Sequence, residues 1–236
     1  MTLMKRLVRI NIYTRSAPRP LPLNCVICNI RKPRRHCPGV KGEICSICCG
    51  TEREQSVDCP LDCVFLNDAH AHERLPELDP SSVPNQDIEV TEEFLKGNEV
   101  LLALIAVALH EGAMKTQGVT DWDVREALDS LIKTYRTLQS GIVYESVPQN
   151  QFAAAITVSV RESLADIVRR ETEATGKTTL RDSSVLGVLV FMQRLEYSRN
   201  NGRKRSRSFL DFLRGFYIPA EEESVIAEPD EPLIIL

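Results

Sequence analysis

Through the second half of the chain, apolar residues return at helical spacing. Val124, Leu128, Leu131, Tyr135 and Leu138 step by four and three, laying one stripe along a helix predicted over 121–140. Thr120 with Asp123 three positions later supplies a capping-box start, and Gly141 a stop. Upstream, 92–113 has an almost continuous apolar middle from Val100 to Leu109 and reads as the central buried helix. Pro148 opens a third helix, in which Phe152, Ile156, Val160, Leu164 and Ile167 recur before Gly176 ends it. A fourth is predicted over 182–200, with Val185, Leu186, Leu189 and Phe191 inward and Gly202 after it. A short fifth holds Phe209, Leu210, Phe212, Leu213 and Phe216. With no useful strand-like alternation, 88–218 is predicted to be an all-α bundle of about four to five helices.

The first part of the chain follows another logic. All eight cysteines fall between Cys25 and Cys63, as Cys25-x2-Cys28, Cys37, Cys45-x2-Cys48, Cys49 and Cys59-x3-Cys63. The apolar run of ten residues at 100–109 is too short to span a bilayer, and no clean secretory signal precedes the cysteines. A reducing, cytoplasmic setting and metal ligation are therefore expected in place of a disulfide framework. A Cys-x2-Cys turn sets two thiolates about one tetrahedral edge apart, and its recurrence is a zinc signature. Eight thiols suffice for two closed zinc sites. The expected partition is Cys25, Cys28, Cys45 and Cys48 on one ion, with Cys37, Cys49, Cys59 and Cys63 on the other. Adjacent residues direct their side chains apart, so the Cys48–Cys49 doublet is expected to join the two sites. His36, His70 and His72 are the substitute ligands, although histidines beside a cysteine or at a helix end are commonly polar surface residues. A redox role for Cys-x2-Cys lacks the strand–helix setting it needs.

The stretch "CVICNIRKPRRHCPGVKGEICSICCGTEREQSVDCPLDCVFL" resembles two-zinc cross-brace and treble-clef modules such as the HIT, MYND and B-box fingers. Its doublet and its Cys-x3-Cys spacing depart from them. Those families mostly mediate protein contacts, and the resemblance implies a docking module. "CCGTEREQSVDCPLDC" also looks like bacterial proteins with no assigned role.

Charge changes the picture only locally. Residues 1–41 carry ten Lys/Arg and no acid, whereas 42–90 carry two basic residues against eleven acidic ones, so the net charge of -4 hides a polarised chain. Arg31, Lys32, Arg34 and Arg35 lie between Cys28 and Cys37, where cations offset the charge of thiolate sites. Arg203, Lys204, Arg205 and Arg207 form a second basic run. Together these are the candidate nucleic-acid contacts, with a solvated loop as the plainer reading of the second run. The expected order is a basic leader (1–24), a small two-zinc module (25–75), a linker (76–87), the helical bundle (88–218) and an acidic tail (219–236).

No nucleophile–base pair stands out. "TGKTTL" at 175–180 follows a helix and lacks the leading glycine of a phosphate loop; Asp121 and Asp123 suit a helix N-terminus. His110 reads as a helix-end surface residue, and Trp122 as packing at the start of its helix. The expected function is a non-enzymatic adaptor with a protein partner, without membrane contact and with self-association open. The alternatives are an RNA- or DNA-associated factor, or a zinc enzyme with one open site.

Overall fold

A computed structural model describes residues 24–75 and 79–216. The expected tail 219–236 and all but the last residue of the expected leader lie outside the described residues. Two short strands come first, β1 (Arg35–Cys37) and β2 (Gly42–Ile44), followed by α1 (Ser46–Glu52) and α2 (Val64–His72). The strands are antiparallel, with Arg35 opposite Ile44 and Cys37 opposite Gly42. Gly39 lies in the turn between them because a Cβ there would stand 2.5 Å from the Asp58 carbonyl oxygen. The hairpin is thereby pressed against the chain entering Cys59.

The helical body contains α3 (Glu92–Gly97), α4 (Glu99–Met114), α5 (Asp121–Gln139), α6 (Gln151–Thr175), α7 (Asp182–Arg199) and α8 (Ser208–Leu213). α4 is central and packs on α6, while α5 packs on both α6 and α7, and α8 closes against α4 and α7. Ile105, Leu109, Leu128, Leu131, Ile156, Leu189, Met192, Phe209 and Leu213 lie in one buried cluster. Gly112 is the contact that lets α4 approach α6, since a Cβ would meet the Ser159 side chain at 2.8 Å. No helix among the described residues is long and apolar enough to cross a membrane.

The helices depart from expectation at identifiable residues. The segment 92–113 breaks at Asn98, which leaves helical dihedrals while its Nδ2 donates to the Phe94 carbonyl at 2.8 Å. α6 starts at Gln151, beyond Pro148, because Asn150 Oδ1 accepts the Phe152 N–H at 2.9 Å. α7 ends at Arg199, short of Gly202, and its Phe191 is only half-buried while Met192 and Gln193 point inward. At α5 the expected start is present: Asp123 Oδ2 accepts both the Thr120 N–H (2.7 Å) and the Thr120 hydroxyl (2.8 Å).

The segment read as a linker is docked where it is described. Asn85 Nδ2 donates to Gln193 Oε1 at 2.6 Å, and Arg136 reaches both Asn85 and Asp87. Arg194 donates to the carbonyls of Asn85 and Ile88, tying the approach to α3 onto α7.

Candidate metal centre

The first Cys-x2-Cys turn is closed by the Asn29 N–H on the Cys25 carbonyl and the Cys25 N–H on the Arg31 carbonyl, both at 2.8 Å. Asn29 takes a left-handed φ of 57°, a conformation asparagine tolerates well. The second turn is the start of α1. Cys45 is its N-cap, and Cys45 Sγ accepts the Cys48 N–H at 3.4 Å. Through these two turns the sulfurs of Cys25, Cys28, Cys45 and Cys48 all lie within 4.8 Å of one another. A tetrahedral Zn–S site has edges of about 3.8 Å, so small side-chain adjustments suffice to close the set on one ion. None of the eight cysteines is in a disulfide.

The local electrostatics suit a cation. Backbone N–H groups of Arg31 and Ile30 bring the Cys28 thiol down to about 6. Burial opposes ionisation of Cys25, but backbone N–H groups of Cys28, Cys45 and Ile27 outweigh it and hold that thiol below its ordinary range. Burial, and then the neighbouring Cys45, Cys28 and Cys25 sulfurs, push Cys48 up to about 12. Crowded thiols thus resist complete ionisation until a divalent cation supplies positive charge among them. Arg31 is held further toward its charged form, chiefly by the Cys45 sulfur.

Cys37, Cys49, Cys59 and Cys63 line one small cavity together with Phe65 and Leu66. Among the described residues these sulfurs are not drawn to the mutual distance of the first set. Two guanidiniums face Cys49: Arg35 Nη1 lies 3.7 Å and Arg53 Nη2 4.0 Å from its sulfur. Burial first, and then the charges of Cys37, Glu54 and Cys63, push the Cys59 thiol up to about 11 against a backbone hydrogen bond from Glu54. The doublet is divided accordingly, Cys48 among the first set and Cys49 on this cavity.

The three histidines have other partners. His36 Nδ1 faces Glu43 at 3.2 Å, and His72 is exposed beside Asp68. His70 is no surface residue. Its side chain is 8% exposed, with Nε2 3.2 Å from Glu54 and Nδ1 3.0 Å from Asp211. Burial opposes its charge, but hydrogen bonds to Asp211 and Glu54 outweigh that effect and raise it to about 9. Glu54, His70 and Glu73 also place ligand atoms within 4.8 Å of one another. There, however, Asn201 Nδ2 donates to both Glu54 and Glu73, and the Arg207 N–H donates to Glu54. Donors already occupy the positions a cation would need.

This polar joint, invisible in the sequence spacing, binds the cysteine-rich part to the helices. The Arg205 N–H donates to the Glu54 carbonyl (2.7 Å), and Arg203 Nη1 donates to the Arg53 carbonyl (2.8 Å). Arg207 donates to Asp58 (2.6 Å) and to the Cys59 carbonyl (2.5 Å). Leu61 packs against both buried clusters. Arg203, Arg205 and Arg207 of the second basic run are therefore engaged with the cysteine-rich part, while Lys204 is exposed. In the first run, Arg31 and Arg35 face sulfurs. Comparison with known proteins returns no matching family model, curated protein or solved structure.

Proposed function

We propose that this chain is a zinc-binding, non-enzymatic adaptor whose cysteine-rich module is held on a helical body and docks another protein. The observation that carries the reading is the Cys25, Cys28, Cys45 and Cys48 cluster, four sulfurs converging from two Cys-x2-Cys turns. An all-thiolate set favours zinc over harder cations, and four sulfurs leave no position for a reactive water. The second ion of the reading belongs to Cys37, Cys49, Cys59 and Cys63, with Arg35 and Arg53 offsetting the charge at Cys49. Zinc supplies structure here, replacing the apolar core that so short a segment lacks. The reading implies a reducing compartment such as the cytoplasm.

Docking is supported by what the two turns display. Val26 and Ile30 of the first and Ile47 of the second are exposed apolar side chains next to the ligand positions. Their placement ties any partner surface to correct metal loading.

The test is elemental analysis of protein purified without added metal, with thiols counted after denaturation in chelator. About two zinc per chain and eight titratable thiols are expected. A metal-free protein with intact fold would overturn the reading. Capture of one partner by the wild type, lost on Ile30→Asp with Ile47→Asp at unchanged zinc content, separates docking from mere metal binding.

A further inference from the structure

We propose that the loop Asn200–Arg207 is a latent site for the phosphate backbone of single-stranded nucleic acid, covered by the cysteine module and uncovered when that module loses its metal. The proposal rests on the metal reading above and adds a second activity to it. From 199 to 214 the chain carries Arg199, Arg203, Lys204, Arg205, Arg207 and Arg214 against a single acid, Asp211. Such a density of cations among Asn and Ser suits phosphate contacts that position a strand without reading its sequence.

In the folded chain, groups of the module take the places of those phosphates. Glu73 faces Arg203 at 3.4 Å, and Asp58 faces Arg205 at 3.9 Å and Arg207 at 2.6 Å. Backbone carbonyls of Arg53 and Cys59 complete the cover. Every one of these groups has its position set by the fold of the module: Asp58 precedes Cys59, and Arg53 follows the helix that carries Cys48 and Cys49.

The loop's own backbone is held by the module at two amides, the Arg205 and Arg207 N–H groups on Glu54, and elsewhere by the helices. Trp122 Nε1 donates to the Arg203 carbonyl at 2.9 Å, Ser206 donates to the buried Asp121, and Asn200 donates to Glu196 at 2.7 Å. Losing the module therefore frees the cationic heads and the two amides on Glu54, while the contacts to Trp122, Asp121 and Glu196 keep the rest of the loop in place. Acidic groups that satisfy arginines in cis compete directly with phosphates, so binding in the metal-loaded state is suppressed by the cover itself.

The test uses the full chain and a fluorescein-labelled oligodeoxythymidine of about 20 nucleotides, read by anisotropy at about 50 and 200 mM salt. Metal release is followed in the same sample with a metallochromic dye. Chelation is expected to release metal and tighten binding at least about tenfold at the lower salt, with a log–log salt slope near about -2 for three phosphate contacts. Asp58→Asn with Glu73→Gln keeps hydrogen-bonding capacity and should give the same gain in the metal-loaded protein. Arg203→Gln, Lys204→Gln and Arg205→Gln together should abolish the gain. Metal released with unchanged binding, or a gain that survives the triple substitution, overturns the proposal and leaves the zinc reading standing. If no metal is present to release, the zinc reading fails, and the Asp58/Glu73 variant alone decides whether the module covers the loop: a gain supports it and no gain overturns it.

Discussion

The cysteine-rich part and the helical body are built from different materials. In the first, five of the eight buried apolar residues are cysteines, with only Ile44, Val57 and Leu66 beside them. In the second, α4 to α8 bury leucine, isoleucine, valine, methionine and phenylalanine side chains in one continuous cluster. Burying one such side chain contributes about 1.5–3 kcal/mol, so the helices are organised by apolar burial. A segment with three aliphatic residues in its core has no comparable driving force. On the proposed metal reading it depends on thiolate–metal bonds within and on the polar joint to the helices without.

Metal removal should break the comparison most sharply. Chelation, or Cys48→Ser, should unfold residues 25–75 by withdrawing on the order of 10 kcal/mol of ligand-derived folding energy. α4 to α7 should persist. Hydrogen exchange read by mass spectrometry checks this: protection lost from the cysteine segment and from the Arg205 and Arg207 amides that Glu54 holds, and kept in Leu101–Ala113 and Val124–Ile132. Simultaneous loss of protection everywhere would mean that the helices cannot stand without the module.

The joint comes next in magnitude. Glu54 is fully buried and accepts from His70, Asn201 and the Arg207 N–H. Glu54→Ala leaves His70 Nε2 and the Arg207 N–H without partners, while Asp211 and Glu73 still hold His70 Nδ1 and Asn201, and should cost about 3–5 kcal/mol. Its pH dependence has a definite sign. His70 is raised from 6.5 to about 9, so its contribution is complete below 6.5 and lost as pH rises through about 9. Hydrogen bonds and charge from His70 outweigh burial and hold Glu54 and Asp211 below the ordinary carboxylate range, so their share is lost only under acid conditions. Between pH 7 and 10 the protein should therefore lose stability, and the His70 imidazole resonance should titrate near 9. His70→Gln should flatten that alkaline limb, and an unchanged limb would remove His70 from the joint.

What was legible in the sequence follows from how far each signal reaches. Helical stripes are local: Val124, Leu128 and Leu131 are all fully buried on α5, as their spacing predicts. The break between α3 and α4 was written as Gly97-Asn98, a helix-stop pair that the continuous apolar run beside it outweighed. The ligand turns at Cys25 and Cys45 are also local, and their convergence needed only the recurrence of Cys-x2-Cys. The joint is another matter. His70 and Asp211 are 141 residues apart, and a carboxylate meant for an internal histidine looks like any surface acid. The run Arg203–Arg207 shows the same limit, because one composition serves a phosphate loop and an internal ion-pair lattice equally. Only the position of Asp58 and Glu73 distinguishes them.

The smallest effect sharpens the contrast from the helical side. Thr120 and Asp123 close the start of α5, with one carboxylate oxygen accepting from both the backbone and the hydroxyl of Thr120. Thr120→Ala removes the hydroxyl alone and should destabilise the body by about 1 kcal/mol. The residue next to it, Asp121, is part of the interface: it accepts from Ser206, Phe209 N–H and Leu210 N–H, and burial raises it to about 6. If the two regions are joined through the 200–213 segment, loosening the start of α5 should also raise hydrogen exchange at Phe209 and Leu210. Urea unfolding of Thr120→Ala, read by tryptophan fluorescence at Trp122 and by exchange at α8, measures both. A stability loss confined to α5 would place the coupling in the arginine–carboxylate joint alone, with no share carried through the helix start.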